Sequence, residues 1–193
     1  MAQDIKVEKI GGVSDEPTGS FNHRNLRIAL VSWFATMAAP KPLTDATTPA
    51  NEAVNFKELA EITGTHTFKA GYGFMTVEGI QEMTDLAVKG IGSKKGRLFE
   101  NKMNFSLEGS RAETLGFSRW IKNADVIVLA QEASSKRYRQ IGSEEFAAAV
   151  VEFESKVEAT ADGANSRVFT ISDKQVYEAP IYLGTITDMP VQP

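Results

Sequence analysis

The sequence predicts a mainly β domain of the α+β class with a single helix. Many apolar residues alternate with polar ones at the two-residue period of a strand, and turn-forming residues separate these segments. Only one segment combines a helix start signal with an apolar stripe. The 193 residues are 42% hydrophobic and 24% charged, as in an ordinary globular chain. We therefore expect one domain over residues 1–193.

The second half of the chain contains the clearest strands. Met103, Phe105 and Leu107 face one way within 97–109, and polar residues alternate with them. The apolar run at 126–129 predicts a buried strand, and 146–158 predicts a long alternating one. Shorter strands are predicted at 5–8, 63–68, 72–77, 138–141, 168–171 and 181–186.

The predicted helix follows the strand at 97–109. Ser110 and Glu113 have the spacing of a capping box, in which each side chain satisfies a backbone N–H of the first turn. Asn123 is the expected stop. The apolar stripe consists of Ala112, Leu115, Gly116 and Trp120.

Two further segments have mixed patterns. Residues 26–39 match both periods, and we favour a strand that turns into irregular structure. Residues 79–90 have no clear pattern, although Ile80, Met83, Leu86 and Ala87 have the spacing of one face of a short helix. The glycine-rich stretch 90–96 after them predicts a flexible loop.

Three prolines between 40 and 49 forbid a helix interior and predict a long loop or extended arm. We therefore assign residues 1–55 to an N-terminal strand plus this arm. The β-rich core is predicted at 56–187, and 188–193 form a C-terminal tail.

Composition excludes several classes of protein. A net charge of −4 argues against a dedicated nucleic-acid binder, which is usually basic. The absence of cysteine excludes disulfides and thiolate metal sites. The longest apolar stretch, 28–39, is shorter than the roughly 20 residues of a membrane helix, and the first ten residues lack a leader pattern. We expect a soluble protein made in a cytoplasm, with no membrane partner.

No motif for catalysis is present. The two histidines, His23 and His66, lie far apart and are interpreted as ordinary polar residues. The stretch 90–96 matches neither phosphate-loop pattern, and no nucleophile elbow occurs. We therefore expect a protein that is not an enzyme, with no catalytic residue, cofactor or metal.

Charged residues cluster in two places. Glu152, Glu154 and Glu158 share one face of the predicted long strand. A solvated face is the usual explanation, and the alternative is an acidic wall that faces a channel or partner. The basic cluster at 136–139 is interpreted as a salt-bridged surface or a subunit contact.

The order of elements in the second half resembles tail tube proteins and related virion ring proteins of tailed bacteriophages. The resemblance covers 96–186 and rests on the layout rather than on a signature. Its segments are KMNFSL at 102–107, a capped helix, ADVIVL at 124–129, YRQIGS at 138–143, SRVFTI at 166–171 and APIYLGTI at 179–186. Residues 22–55 have no counterpart in that layout.

The resemblance implies a β-sandwich or half-barrel flanked by a helix. It also implies six copies in a ring and rings stacked into a tube through which DNA leaves the capsid. The partners are then further copies of the chain, other phage tail proteins and passing DNA, in a virion tail assembled in the cytoplasm of the bacterial host. An acidic lumen, lined by the three glutamates, would let DNA slide.

The long loop is the candidate clamp between rings. Its residues are Pro40, Lys41, Pro42, Leu43, Thr44 and Pro49. Deleting 41–51 is then expected to weaken stacking more than folding, while an unstructured connection is the alternative.

Three other functions remain open. One is a different virion ring, such as a head–tail connector or tail terminator. Another is a small-molecule-binding barrel, and a hydrolase based on Glu152 and Glu154 ranks last. The aromatic residues proposed for such a barrel cavity are Tyr72, Phe74, Phe99, Phe105 and Trp120.

Overall fold

The computed structural model describes residues 25–80, 82–109, 111–133, 135–157 and 165–190. The strand predicted at 5–8 and the residues His23, Ser110 and Glu158 lie outside this part. The described chain is mainly β with a single α-helix, which confirms the predicted α+β class.

Twelve strands, one helix and two short 3-10 turns follow one another along the described chain. The strands and helix are β1 (Asn25–Leu30), β2 (Phe34–Thr36), β3 (Glu61–Ile62), β4 (Thr67–Phe68), β5 (Met75–Glu78), β6 (Asp85–Ile91), β7 (Leu98–Glu108), α1 (Ala112–Ile121), β8 (Val126–Gln131), β9 (Tyr138–Ile141), β10 (Ala149–Val157), β11 (Asn165–Gln175) and β12 (Ile181–Tyr182). The 3-10 turns are Val31–Trp33 and Pro49–Asn51.

Two sheets face each other across the main core. The larger has the order β3-β12-β9-β8-β1-β5, and the smaller has the order β10-β11-β7-β6. All pairs in the smaller sheet are antiparallel. Phe105 and Phe169 stack between the sheets with ring centroids 5.0 Å apart, because these residues stand opposite each other on β7 and β11.

The six-stranded sheet is buried on both faces in its centre. Val126 and Val128 of β8 contact the core shared with the smaller sheet. Ile127 and Leu129 point to a second core on the other side, where Phe34 belongs to a short third layer formed by β2 and β4. Burial on both faces explains why β8 reads as a continuous apolar run rather than an alternating one.

The core extends further towards the N-terminus than the sequence indicated. Leu26 and Ile28 of β1 are fully buried, and β1 lies between β5 and β8 in the larger sheet. The boundary predicted at residue 56 therefore does not separate core from arm. The strand that turns irregular after residue 30 was predicted correctly.

One local prediction needs correction. Residues 85–91 form a strand rather than part of a helix, because pairing with β7 over seven positions outweighs the helical spacing of their apolar residues. The helix begins at Ala112 with Arg111 as its N-cap, and the predicted capping box stays a prediction because Ser110 lies outside the described residues. Phe117 packs on Phe169, which places the helix at the side of the main core.

Candidate assembly surfaces

The outer face of the four-stranded sheet is mostly polar, and its larger apolar residues are Val168 near the middle and Ile91 and Leu98 at one end. Strand alternation places the even-numbered residues of β7 and β11 on this face, since their odd-numbered neighbours point into the core. Asn104 accepts a hydrogen bond from Thr170 and donates to Asp85, which ties three neighbouring strands together. The face is thus an ordered polar surface.

The glutamates of the predicted acidic wall lie on this same face. Glu152 stands opposite Thr170, and Glu154 stands opposite Val168. The face also carries lysines, and Lys102 lies 3.5 Å from Glu152. The surface is therefore of mixed charge rather than purely acidic, because lysines of the neighbouring strands stand between the carboxylates.

Both edges of the four-stranded sheet are open within the described part of the chain. Among the described strands, β10 pairs only with β11, and β6 pairs only with β7. Val151 and Val157 on β10 are 56% and 65% exposed. A β-bulge separates Val150 from Glu152, which increases the local twist of this edge. Open edges with exposed apolar residues favour pairing with another chain.

The predicted arm is a compact loop rather than an extended segment. The Asp45 carboxylate accepts hydrogen bonds from the backbone N–H groups of Thr47 and Thr48, and these bonds lower the pKa of Asp45. Lys41 joins the loop to the body through a salt bridge of 3.0 Å to Glu58. Local hydrogen bonds therefore give the proline-rich sequence a fixed shape, an outcome that proline content alone does not reveal.

The beginning of this loop lines a groove of about 780 Å³. Pro42 and Leu43 form one wall, and Phe99, Val176 and Ile181 contribute to the rest. Leu43 is 54% exposed. The candidate clamp residues 41–44 thus border an apolar groove, while Pro49 begins a 3-10 turn away from it.

A buried polar junction connects the two sheets, and the sequence analysis did not identify it. Asp173 of β11 is 3% exposed and accepts hydrogen bonds from Asn101 and Gln175, each 2.8 Å long. It also accepts one from the backbone N–H of Gly142, which follows β9 in the other sheet. Its only sequence signal is a charged residue at a core-facing position of a strand.

A second part of the junction surrounds His66, which is buried. The backbone N–H of Ala38 donates to its Nδ1, so Nε2 carries the proton and donates to Gln140 over 2.8 Å. The ring stacks on Tyr182 at 4.6 Å. Burial lowers the pKa of His66, against the opposing effect of Gln140. Its role as an ordinary structural histidine agrees with the interpretation from sequence.

Asp173 makes stability depend on pH. Burial raises its pKa from 3.8 to about 6, and the hydrogen bonds from Gly142 and Asn101 oppose that shift. Between these two values the folded protein holds a proton that the unfolded chain releases, so stability falls as the pH rises from 4 to above 6. The expected loss is on the order of 3 kcal/mol. Urea unfolding of the wild type and Asp173→Asn across this range measures it.

The difference in unfolding free energy between the wild type and Asp173→Asn isolates the contribution of the Asp173 carboxyl group. Asp45 and Glu58, whose pKa values are lowered, lose their stabilising effect as the pH falls, but they are present in both. The stability of the wild type minus that of the variant should decline with rising pH. A difference that does not change with pH would contradict the assignment.

Gly142 is the one position of the junction that requires glycine. Its φ is +91°, and an added Cβ would lie 2.8 Å from the carbonyl oxygen of Val126 and 2.9 Å from the backbone nitrogen of Ala148. We expect Gly142→Ala to reduce the free energy of unfolding by about 2–4 kcal/mol.

Gly116→Ala is the matched control, because nothing lies within 4 Å of its added Cβ. In α1 it should stabilise by about 0.5–1 kcal/mol. Equal effects in urea unfolding would refute the steric explanation.

The aromatic residues proposed for a small-molecule barrel do not line one cavity. Phe105 belongs to the main core and Phe74 to the second core, on opposite sides of the six-stranded sheet. Phe99 lines the groove, while Tyr72 and Trp120 are exposed beside Trp33. The sandwich is closed by core packing, so these rings are separated.

The described ranges contain no group of three or more histidine, aspartate or glutamate side chains that can hold a metal ion. Within the part of the chain that the structure covers, no helix is long and apolar enough to cross a membrane. No protein-family model, curated protein or solved structure matches this chain.

Proposed function

We propose that this chain is the structural subunit of a bacteriophage tail tube, in which rings of about six copies stack around a channel for DNA. The observation that carries the proposal is the four-stranded sheet, which combines two open edges, a polar outer face and an apolar inner face. Such a sheet is suited to continue from one subunit into the next, with its polar face lining a channel.

The strand order supports ring closure. Four antiparallel strands place β6 and β10 in opposite directions. In a cyclic ring, β10 of one subunit therefore meets β6 of the next in antiparallel orientation, and the alternation continues around the ring. Edge pairing of this kind removes both open edges, as closure does in barrels.

The size of the channel is compatible with a ring of six and excludes a ring of three. Strands about 4.8 Å apart and tilted by about 40° would close 24 strands into a barrel about 48 Å across. Lining side chains take about 5 Å on each side, which leaves about 38 Å. Duplex DNA is about 20 Å wide, somewhat more than the roughly 16 Å to which its two groove depths add, and passes through such a channel. Three copies would leave only about 14 Å by the same estimate.

The remaining surfaces fit the outside and ends of such a ring. The third layer of β2 and β4 lies on the side of the six-stranded sheet that faces away from the polar face. The groove bordered by Leu43 lies at the end of the strands where β7 begins and β11 ends. This end would face the next ring, and we therefore keep the loop 40–49 as the candidate clamp.

The testing experiment is negative-stain microscopy of the purified protein over a concentration series, with light scattering on the same samples. Rings with a central hole of the expected width, and tubes at higher concentration, would support the proposal. Rings that never stack would favour a connector or terminator ring instead. A monomer at every concentration, including after addition of preformed tail ends as initiators, would refute it.

A further inference from the structure

A strongly basic turn connects β6 and β7 at one end of the polar face. Lys94, Lys95 and Arg97 are exposed there and form no salt bridge with any described residue. Lys89 on β6 and Lys174 on β11 stand on the polar face close to the turn. Lys94 and Arg97 are three positions apart, so their Cα atoms are separated by at most about 11 Å, close to one Debye length at 0.1 M salt, and the charges of the turn reinforce one another's potential.

The backbone fixes this turn in shape. Gly92 has a φ of +89°, and an added Cβ would lie 2.6 Å from the carbonyl oxygen of Gly96. Lys95 has a φ of +72°, in the left-handed region, and the N–H of Gly96 donates to Ser93 over 3.0 Å. These contacts give the turn a defined backbone conformation from which the three cationic side chains project, and its flexibility, predicted from the glycine content, stays a prediction.

Charge on the polar face is distributed unevenly along the strands. The end with the turn carries five basic residues and one acidic residue, Glu100, which forms a salt bridge of 3.7 Å with Lys174 and leaves four basic residues without an ion-pair partner among the described residues. The rest of the face carries four acidic and two basic residues. The basic set is Lys89, Lys94, Lys95, Arg97 and Lys174, and the second set is Asp85, Glu108, Glu152, Glu154, Lys102 and Lys156. A polyanion that contacts this face is attracted at one end only.

We propose that the β6–β7 turn is a contact site for the phosphodiester backbone of double-stranded DNA. This inference rests on the proposed function for its location, since a ring places one such turn from each copy around one mouth of the channel. Lysine and arginine on an exposed turn suit phosphate oxygens, and the contact carries no sequence information. The mixed remainder of the face would bind DNA weakly, so that the duplex is held at the mouth and slides elsewhere.

Duplex DNA matches this turn better than a second protein chain does. DNA carries one negative charge for about every 1.7 Å of its axis. The three cations of the turn therefore meet phosphates wherever the duplex stands along the channel axis. The acidic half of the face offers a neighbouring ring only scattered carboxylates, and Glu152 already lies 3.5 Å from Lys102.

The test measures binding of a fluorescent 20-base-pair duplex to the full chain, below the concentration of assembly, by anisotropy between about 20 and 200 mM salt. The variant is Lys94→Ala/Lys95→Ala/Arg97→Ala. The control with the same change in charge is Arg119→Ala/Lys122→Ala/Arg137→Ala, at exposed positions outside the polar face. If three phosphates are contacted, the slope of log K against log salt should fall by about 2.7 in the variant. The control should stay within twofold of the wild type.

Three results would overturn the inference. The first is that the wild type does not bind the duplex at low salt. The second is that variant and control lose the same amount of affinity for DNA. The third is that the variant keeps its affinity for DNA but no longer stacks into tubes. The last result would assign the turn to contacts with a second copy of the chain. Microscopy of the same proteins over the full concentration series separates the two proposals, because rings without DNA binding refute only this inference, and DNA binding without rings at any concentration refutes only the proposed function.

Discussion

Replacement of both Val151 and Val157 with lysine is expected to abolish ring assembly while the subunit stays folded. The two side chains are 56% and 65% exposed on the open edge of β10, so the loss of packing should cost only about 0.5 kcal/mol each. Lysine on an edge strand opposes pairing with another strand, because its charge must be desolvated at the new contact. Sedimentation velocity and negative-stain microscopy at concentrations where the wild type forms rings provide the measurement.

The matched control places the same charges away from the edge. Val54 and Leu183 are exposed to a similar degree, 57% and 50%, and neither lies on β6 or β10. The double variant Val54→Lys/Leu183→Lys should assemble like the wild type. Assembly of the edge variant at wild-type concentrations would show that β10 does not take part in ring formation.

Truncation of Phe169 to alanine is expected to produce the largest loss of stability of any single core substitution considered. Its ring is 1% exposed and lies 5.0 Å from the rings of both Phe105 and Phe153, with Phe117 of the helix at 5.7 Å. The substitution removes the contact that joins both central strands, the edge strand and the helix. We expect the free energy of unfolding to fall by about 3–5 kcal/mol.

Phe146→Ala provides the comparison for this substitution. Phe146 is 40% exposed, so its truncation should cost less than about 1 kcal/mol. Urea unfolding of both variants, followed by tryptophan fluorescence and circular dichroism, gives the two values. A loss below 2 kcal/mol for Phe169→Ala would mean that the helix and β10 are not held to the core as described.

The local pattern of apolar and polar residues was sufficient to predict most strands in the second half of the chain. The strand at 97–109 was found because only one of its faces meets the core, so its sequence alternates. The run at 126–129 was recognised as a buried strand because both of its faces are covered. Residues 79–90 had no clear pattern, since short amphipathic segments match both periods and the pairing of β6 with β7 decides between them.

The surfaces were predicted less well than the strands. Period-two spacing placed Glu152 and Glu154 on one face correctly, yet the lysines that make this face mixed belong to other strands. The prolines at 40 and 42 indicated an irregular segment, but its closed shape depends on Asp45 and on the salt bridge from Lys41 to Glu58. Such contacts join residues whose proximity the sequence does not encode locally.

By itself the sequence determined the class of the fold, the single helix and the buried strand β8. These depend on periodicity and on the chemistry of neighbouring residues, which act over a few positions. Only the tertiary structure decided which strands share a sheet, that β6 and β10 form its open edges, and that Asp173 lies between Asn101 and Gly142. Strand partners and buried hydrogen bonds form between residues far apart in the chain, and their free energy arises only when the folded backbone brings them together.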